Sequence, residues 1–213
     1  MVATAGCGRI GFDLNAMSDA LEVDAPPGAM TTVSSGSAAS DTYIVTASSS
    51  QNNYGAAASM QVNGAPATHA LLRFDLSAIP TSATVFSSKL HLAVEQTNST
   101  NTAFNAFRVL EAWDEGTGNG QVGAASWSLR QVGVPWTNAG ALGPTSSVTN
   151  NFSSWIASAG AGVYVLSLNP TIVQAWVSDP TTNFGFEIRS STFMSFSSRE
   201  STDPPTLTVV WLP

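Results

Sequence analysis

Cysteine is almost missing from this chain: Cys7 is its one thiol, so no internal disulfide can staple the fold. Histidine is nearly as scarce, with only His69 and His91, and no Cys/His cluster has the spacing of a zinc site. Charge is thin as well, at 10% of residues against an ordinary ~25%. Within it, seven scattered Lys and Arg face fourteen Asp and Glu, for a net charge of -7. Such a surface has no basic patch to release phosphate counterions, which argues against nucleic acid as a partner. The same acidity opposes adsorption to anionic lipid headgroups. No stretch reaches the ~18 apolar residues of a membrane helix, so no helical membrane span is expected.

What remains is still enough for a core. Hydrophobic residues make up 43% of 213, and the polarity comes from Ser, Thr, Asn and Gly rather than from charge. That balance suits a secreted or cell-surface β protein. From Asp41 onward, apolar residues recur at period two in short segments broken by Gly, Pro, Asn and Ser. In Thr84 to Glu95, for instance, Phe86, Leu90, Leu92 and Val94 are expected on one side, with Val85, Ser87, Lys89, His91, Ala93 and Glu95 on the wetter other. Further strands are expected over Thr42 to Ala47, Ala57 to Val62, His69 to Leu76, Phe104 to Trp113, Val163 to Leu168, Phe184 to Arg189 and Thr206 to Trp211. One short helix interrupts them near 170–177, where Asn169 caps, Pro170 takes the first helical position, and Asp179-Pro180 ends the run. The fold class predicted is all-β: a two-sheet antiparallel jelly-roll sandwich whose one end this helix closes, with Trp176 as a plug.

The sandwich is placed at residues 41–213, behind an arm and linker at 1–40. In the arm, Ile10, Phe12 and Leu14 alternate like a strand, ahead of Pro26, Pro27, Gly28 and a Ser/Ala/Gly run. Two readings stand: a flexible tether, or a strand that adds to a sheet edge of its own or a neighbouring copy. Ala5-Gly6-Cys7 has the small-small-Cys ending of a bacterial lipobox, while the six residues before the thiol are short for a signal peptide. A lipid anchor in the outer membrane and an incidental cysteine both remain open.

Several stretches in series resemble a known family. They are Asp41-Thr42-Tyr43-Ile44, Asn53-Tyr54-Gly55, Leu71-Leu72-Arg73-Phe74-Asp75-Leu76-Ser77 and Trp113-Asp114-Glu115-Gly116-Thr117-Gly118 with Ser126-Trp127. Val177-Ser178-Asp179-Pro180, Asn183-Phe184-Gly185-Phe186 and Phe196-Ser197-Ser198-Arg199-Glu200-Ser201 with Pro204-Pro205-Thr206-Leu207 follow in order. Together, over residues 41 to 212, they resemble the DNRLRE domain, a jelly-roll family that includes alginate-binding carbohydrate modules and repeats of archaeal disaggregatases. The resemblance implies the fold, and it implies that Arg73/Asp75 and Arg199/Glu200 form a structural ionic network. The residues agree: a partly buried Arg needs a carboxylate to offset its desolvation, and Arg73 and Asp75 share a strand face.

Chemistry for catalysis is hard to find. A glycosidase needs two carboxylates facing across a cleft, which the sequence neighbours Asp114 and Glu115 cannot supply. There is no Gly-x-Ser-x-Gly elbow. Sugar platforms are better represented, because a pyranose can stack on an exposed indole. Trp127 and Trp136, with Arg130 between them, sit in the long polar stretch from Gly116 to Ser154 and are the candidate ligand-binding residues. Folding under the loop as a small satellite cluster is the competing account for that pair. A structural calcium ion is a further candidate, with Asp41, Asn53, Asp114 and Glu115 as oxygen donors. Three functions follow, in order: a non-catalytic extracellular or cell-surface domain that binds a polysaccharide or other surface glycan; a structural subunit of a fibre or matrix, assembling with copies of itself through the arm; and a polysaccharide-degrading enzyme.

Overall fold

The computed structural model describes residues 25–36, 39–99, 101–157 and 160–213. Cys7 and the Ile10, Phe12, Leu14 alternation lie outside the described residues. Two antiparallel layers form the expected jelly-roll sandwich. In the first, β1 (Met30–Ser35) pairs with β15 (Thr206–Leu212), β15 with the long β6 (Thr84–Thr97), and β6 with β12 (Gly162–Leu168). β14 (Met194–Ser197) continues along the β15 side of β6: Leu90 is shared by β15 and β12, and Val94 by β14 and β12.

The second layer runs β2 (Ala39–Val45), β5 (Ala67–Phe74), β13 (Phe186–Arg189), β7 (Thr102–Arg108) and β11 (Ser153–Ala157). β4 (Ser59–Gly64) bonds to both β14 and β5, so the sandwich is one continuous eleven-stranded sheet curled over its own core. Two short ribbons occupy the loops, β3 (Asn52–Asn53) with β8 (Gln121–Val122) and β9 (Leu129–Gln131) with β10 (Val134–Pro135).

Period-two patterning explains most of the core. Leu90, Leu92 and Val94 of β6 point inward, where they join Leu72, Phe104, Phe186, Phe196 and Leu207. One expected parity is wrong. Val85 is buried and Phe86 is 38% exposed, because the register with β15 shifts between Ser87 and Val85. A β-bulge there leaves Phe86 and Ser87 both outside, and inward alternation resumes at Ser88.

β5 departs from alternation for another reason. Ala70 and Leu72 face the main core, while Leu71 lies in a second cluster with Ile44, Val109, Trp113, Ala125, Trp136 and Ala141. The long segment after Val109 folds over the outer face of the second layer as a third layer. Both faces of β5 are therefore dry, and His69 to Leu72 is buried throughout.

The domain also begins earlier than expected. Met30–Ser35, within the run read as linker, is an edge strand of the first layer. Its six residues are Ser, Thr, Met and Val, with only Ser34 buried, so it carries no apolar period to read and is held by ladder hydrogen bonds. β7 in turn stops at Arg108, short of Trp113.

The helix α1 (Pro170–Ser178) forms as its signals require: Asn169 Oδ1 accepts from the Thr171 N–H at 3.0 Å. Val173, Trp176 and Val177 are its buried face. Gln174 ties it to the start of β6, accepting from the Val85 N–H at 2.7 Å and donating to the Ala83 carbonyl at 3.0 Å. Leu92, fully buried, and Phe86, outside the bulge, separate core from surface along one strand. Leu92→Ala should cost about 2–5 kcal/mol in denaturant unfolding, and Phe86→Ala less than about 1 kcal/mol; a larger loss at Phe86 would refute the bulge.

Candidate functional site

Helix α1 is flanked by two clefts. The larger, about 620 Å³, opens between the end of β7, the 144–152 loop and the start of the helix. The loop is pinned along β7 by Val148 N–H to the Arg108 carbonyl at 3.0 Å and Phe152 N–H to the Ala106 carbonyl at 2.9 Å. Phe152 and Ile172, both half-buried against the core, supply an apolar floor. Asn150, Asn151 and Asn169 supply amides at the rim. Arg108 supplies the one charge: its guanidinium has no hydrogen bond or ion pair among the described residues, and its Nε is buried without a partner.

A buried Nε without a partner recurs at Arg130 and Arg189, but those guanidiniums are engaged through their other nitrogens, whereas among the described residues that of Arg108 is not. Arg189 pairs with the fully buried Glu187, donates to Ser147 Oγ at 2.7 Å and lies over the Phe107 ring. Arg199 bonds Glu115 at 2.9 Å and Glu200 at 2.8 Å. An unpaired guanidinium over an apolar floor, with amides beside it, can bind hydroxyl- or carboxylate-bearing rings. The cleft lining contains no Asp, Glu, His, Tyr, Lys or Cys.

Residues 32–210 match carbohydrate-binding module family 96. The chain belongs to that family. A search of curated proteins found no match. The module's glycan-binding character is thereby shown at the level of the family; no helix among its described residues is long and apolar enough to cross a membrane.

The residues singled out in the sequence are distributed quite differently. Trp136 is 4% exposed and its indole N–H donates to the Ser126 carbonyl at 2.9 Å, so it presents no face to a sugar. Trp127 is half-buried beside it, 5.1 Å from the His69 ring and in contact with Gly140. A Cβ at Gly140 would sit 2.6 Å from that indole, which is why a glycine occupies the position. The pair are part of the second cluster. Arg130 is likewise occupied, donating to the Ala112 carbonyl at 2.8 Å and lying 3.6 Å from Glu111.

Arg73 and Asp75 do not pair. β5 ends at Phe74, so Asp75 falls on the exposed turn and accepts from the Ser77 N–H at 2.8 Å, which holds its carboxyl below the usual range. Arg73 instead lies over the Trp113 ring at 5.1 Å and reaches the Trp113 carbonyl at 3.3 Å. The strand-neighbour pair that does form is Glu187 with Arg189, beneath the third layer. His69 Nδ1 stands 3.2 Å from Glu187 Oε2 and 3.1 Å from the Gly140 carbonyl.

Of the calcium candidates, Asp41 and Glu115 converge and Asn53 and Asp114 do not. Asn53 is consumed by backbone, donating to the Glu115 and Ala125 carbonyls and accepting from Gly118. Asp114 is bound by Gln131. Glu200 completes the acidic group instead, with carboxylate oxygens of Asp41, Glu115 and Glu200 all within 4.8 Å of one another. All-oxygen donors suit a hard cation. Four of these oxygens are already taken, however: the Arg199 N–H, Nη2 and Nε reach Asp41, Glu115 and Glu200, and the Asp41 N–H reaches Glu115.

Burial raises the Asp41 carboxyl to about 7 and that of Glu115 to about 6, more than Arg199 lowers them. The folded module therefore holds protons here that the unfolded chain releases above about pH 4, so stability falls as pH rises from about 4 to about 7. Melting temperature should be higher at pH 5 than at pH 8, and Asp41→Asn should flatten that difference; an unchanged slope in the variant would show that the cluster does not cause it.

Proposed function

We propose that the module is a non-catalytic, extracellular or cell-surface glycan binder of DNRLRE type, and that the glycan lies in the Arg108 cleft. The observation that carries this is the unpaired Arg108 guanidinium in a cleft it shares with Phe152, in a family of carbohydrate-binding modules. Arg108 and the Asn amides reach ring oxygens and hydroxyls, while Phe152 and Ile172 take the apolar face. With no acid, base or nucleophile in the lining, the cleft holds a chain without cutting it. The buried His69–Glu187 pair is no alternative centre, since it lies sealed beneath Trp127 and the third layer.

Calcium has no part in this proposal, because Arg199 already serves the carboxylates that would ligate it. Arg199 with Glu115, Asp41 and Glu200 is read instead as a latch that ties the 111–123 segment and the 198–201 turn to β2. The low charge and Ser/Thr/Asn-rich surface support an extracellular setting.

Affinity electrophoresis through gels of neutral and acidic polysaccharides should show retardation by at least one polymer. Arg108→Ala should weaken it by at least about tenfold, the loss of one charge-assisted hydrogen bond. Trp136→Phe should bind as the parent does. Retardation unchanged in Arg108→Ala would remove the cleft from the binding mechanism.

Assembly with copies of itself is a second reading, favoured by β1 and β12, each of which pairs on one side only among the described residues. Deleting residues 8–24 should lower the mass measured by light scattering; an unchanged mass would eliminate it.

A further inference from the structure

The first layer ends on one side at β12, which pairs with β6 along all seven of its residues and, among the described residues, with no other strand. Natural edge strands are guarded by lysine, proline, a bulge or brevity, because their unpaired N–H and C=O groups template a further strand. β12 carries none of these guards. Its residues, Gly162 to Leu168, include no charge and no proline, and its register with β6 is unbroken. Val163 and Val165 are 63% and 56% exposed on the outer face of the layer. The edge at β2 is closed by contrast, since the Asp41 N–H is taken by Glu115 at 2.7 Å and the Asp41 carboxylate by the Arg199 N–H.

Two side-chain bonds show which backbone groups lie on the open side. The Leu168 carbonyl accepts from Ser88 Oγ of β6 at 3.1 Å, whereas the Ser167 carbonyl accepts from the Trp155 indole of β11 at 2.9 Å and so points away from β6. Such groups alternate along a strand. Val163 and Val165 therefore turn their N–H and C=O groups outward like Ser167, and no described residue bonds them. The strand that fits this edge is β12 itself, because an antiparallel ribbon is its own partner about a two-fold axis. With the axis at Tyr164, Val163 of each copy exchanges both bonds with Val165 of the other, which leaves no group of either valine open. The valines then share one apolar patch outside, while the half-buried Tyr164 rings meet inside. Gly162, where the second copy's strand begins, falls opposite Leu166, short of the carbonyl that Trp155 holds.

Charge agrees with that register. A chain of net charge -7 repels its own copy, yet on the outer face the row through Ser167 and Lys89 continues into the row of Glu95 of the second copy. Glu95 is exposed, one residue past Val94, and accepts from Ser197 Oγ at 3.1 Å. Three strand spacings, about 14 Å, separate the two charges, so they orient the encounter rather than hold it. An axis at Val165 would instead set His91 across from His91 and spend Val163 on the occupied Ser167 carbonyl. We infer that two copies of the module pair through β12, antiparallel and two-fold, joining their first layers into one sheet. This deepens the assembly reading above by naming the partner of β12, and it needs no arm.

The test is sedimentation equilibrium of the full chain. The average mass should rise from one chain toward two between about 10 and about 500 µM, as suits a contact of one strand edge. Val165→Lys should weaken the association by at least about tenfold, since a lysine on the edge opposes pairing. Val33→Lys, on the opposite edge of the layer, should associate as the parent does. Both valines are exposed, at 56% and 59%, so the variants keep the core. Should Val165→Lys still fail to fold, amide exchange in the parent decides: the Val163 and Val165 N–H groups should gain protection as concentration rises, and those of β1 should not. A mass of one chain at every concentration would overturn the pairing, as would a dimer broken by Val33→Lys and not by Val165→Lys. Deleting residues 8–24 should leave the β12 pair intact. A mass that falls to one chain on that deletion, but not with Val165→Lys, would overturn the pair and keep the arm.

Discussion

Trp176 lies nearly parallel to Phe186 at 6.4 Å and edge-on to Phe152 at 6.2 Å, and this stack seats helix α1 on the end of the sandwich. Everything at that end depends on it. Phe186 belongs to a central strand, Phe152 to the loop that walls the Arg108 cleft, and Trp176 to the helix between both clefts. Three rings bury large area at fixed geometry, so neither cleft can widen without breaking contacts in the main core. The Arg108 cleft proposed for the glycan is held in shape for that reason, and rigid sites lose less entropy when a ligand arrives.

Scarce charge shapes the rest. With so few ionic groups, most are spent on holding segments together. Arg199 ties three carboxylates from distant parts of the chain, Glu187 and Arg189 pair beneath the third layer, and Arg73 stacks on Trp113. Each of these charges is partly or wholly desolvated, and each has found a partner or a ring. Arg108 stands apart because its surroundings offer amides and apolar carbon but no carboxylate. That open guanidinium is the ground on which the glycan is proposed to lie beside it.

The third layer explains why indoles set in loop sequence are drawn into a core, Trp136 buried and Trp127 half-buried. Trp127 and Trp136 lie among Gly, Ser and Asn, a composition that reads as loop, and the residues are indeed loop. What the composition does not carry is that the outer face of the second sheet is apolar at Ile44 and Leu71 and must be covered. The two indoles, with Trp113, are the cover. The one clue was His69 to Leu72, a run without alternation, which signals a strand dry on both faces.

The sequence by itself determined the all-β class, most strand positions, the capped helix and the plugging role of Trp176, because hydrophobic period, caps and turn residues act within a few positions of one another. Tertiary structure alone decided the parity switch at Phe86, the partners of Arg73 and Arg199, and the two clefts. Asp41 meets Arg199 across 158 positions and Asn53 meets Glu115 across 62. No local pattern encodes such meetings; they are set by which strands share an edge and by which faces must be kept from water.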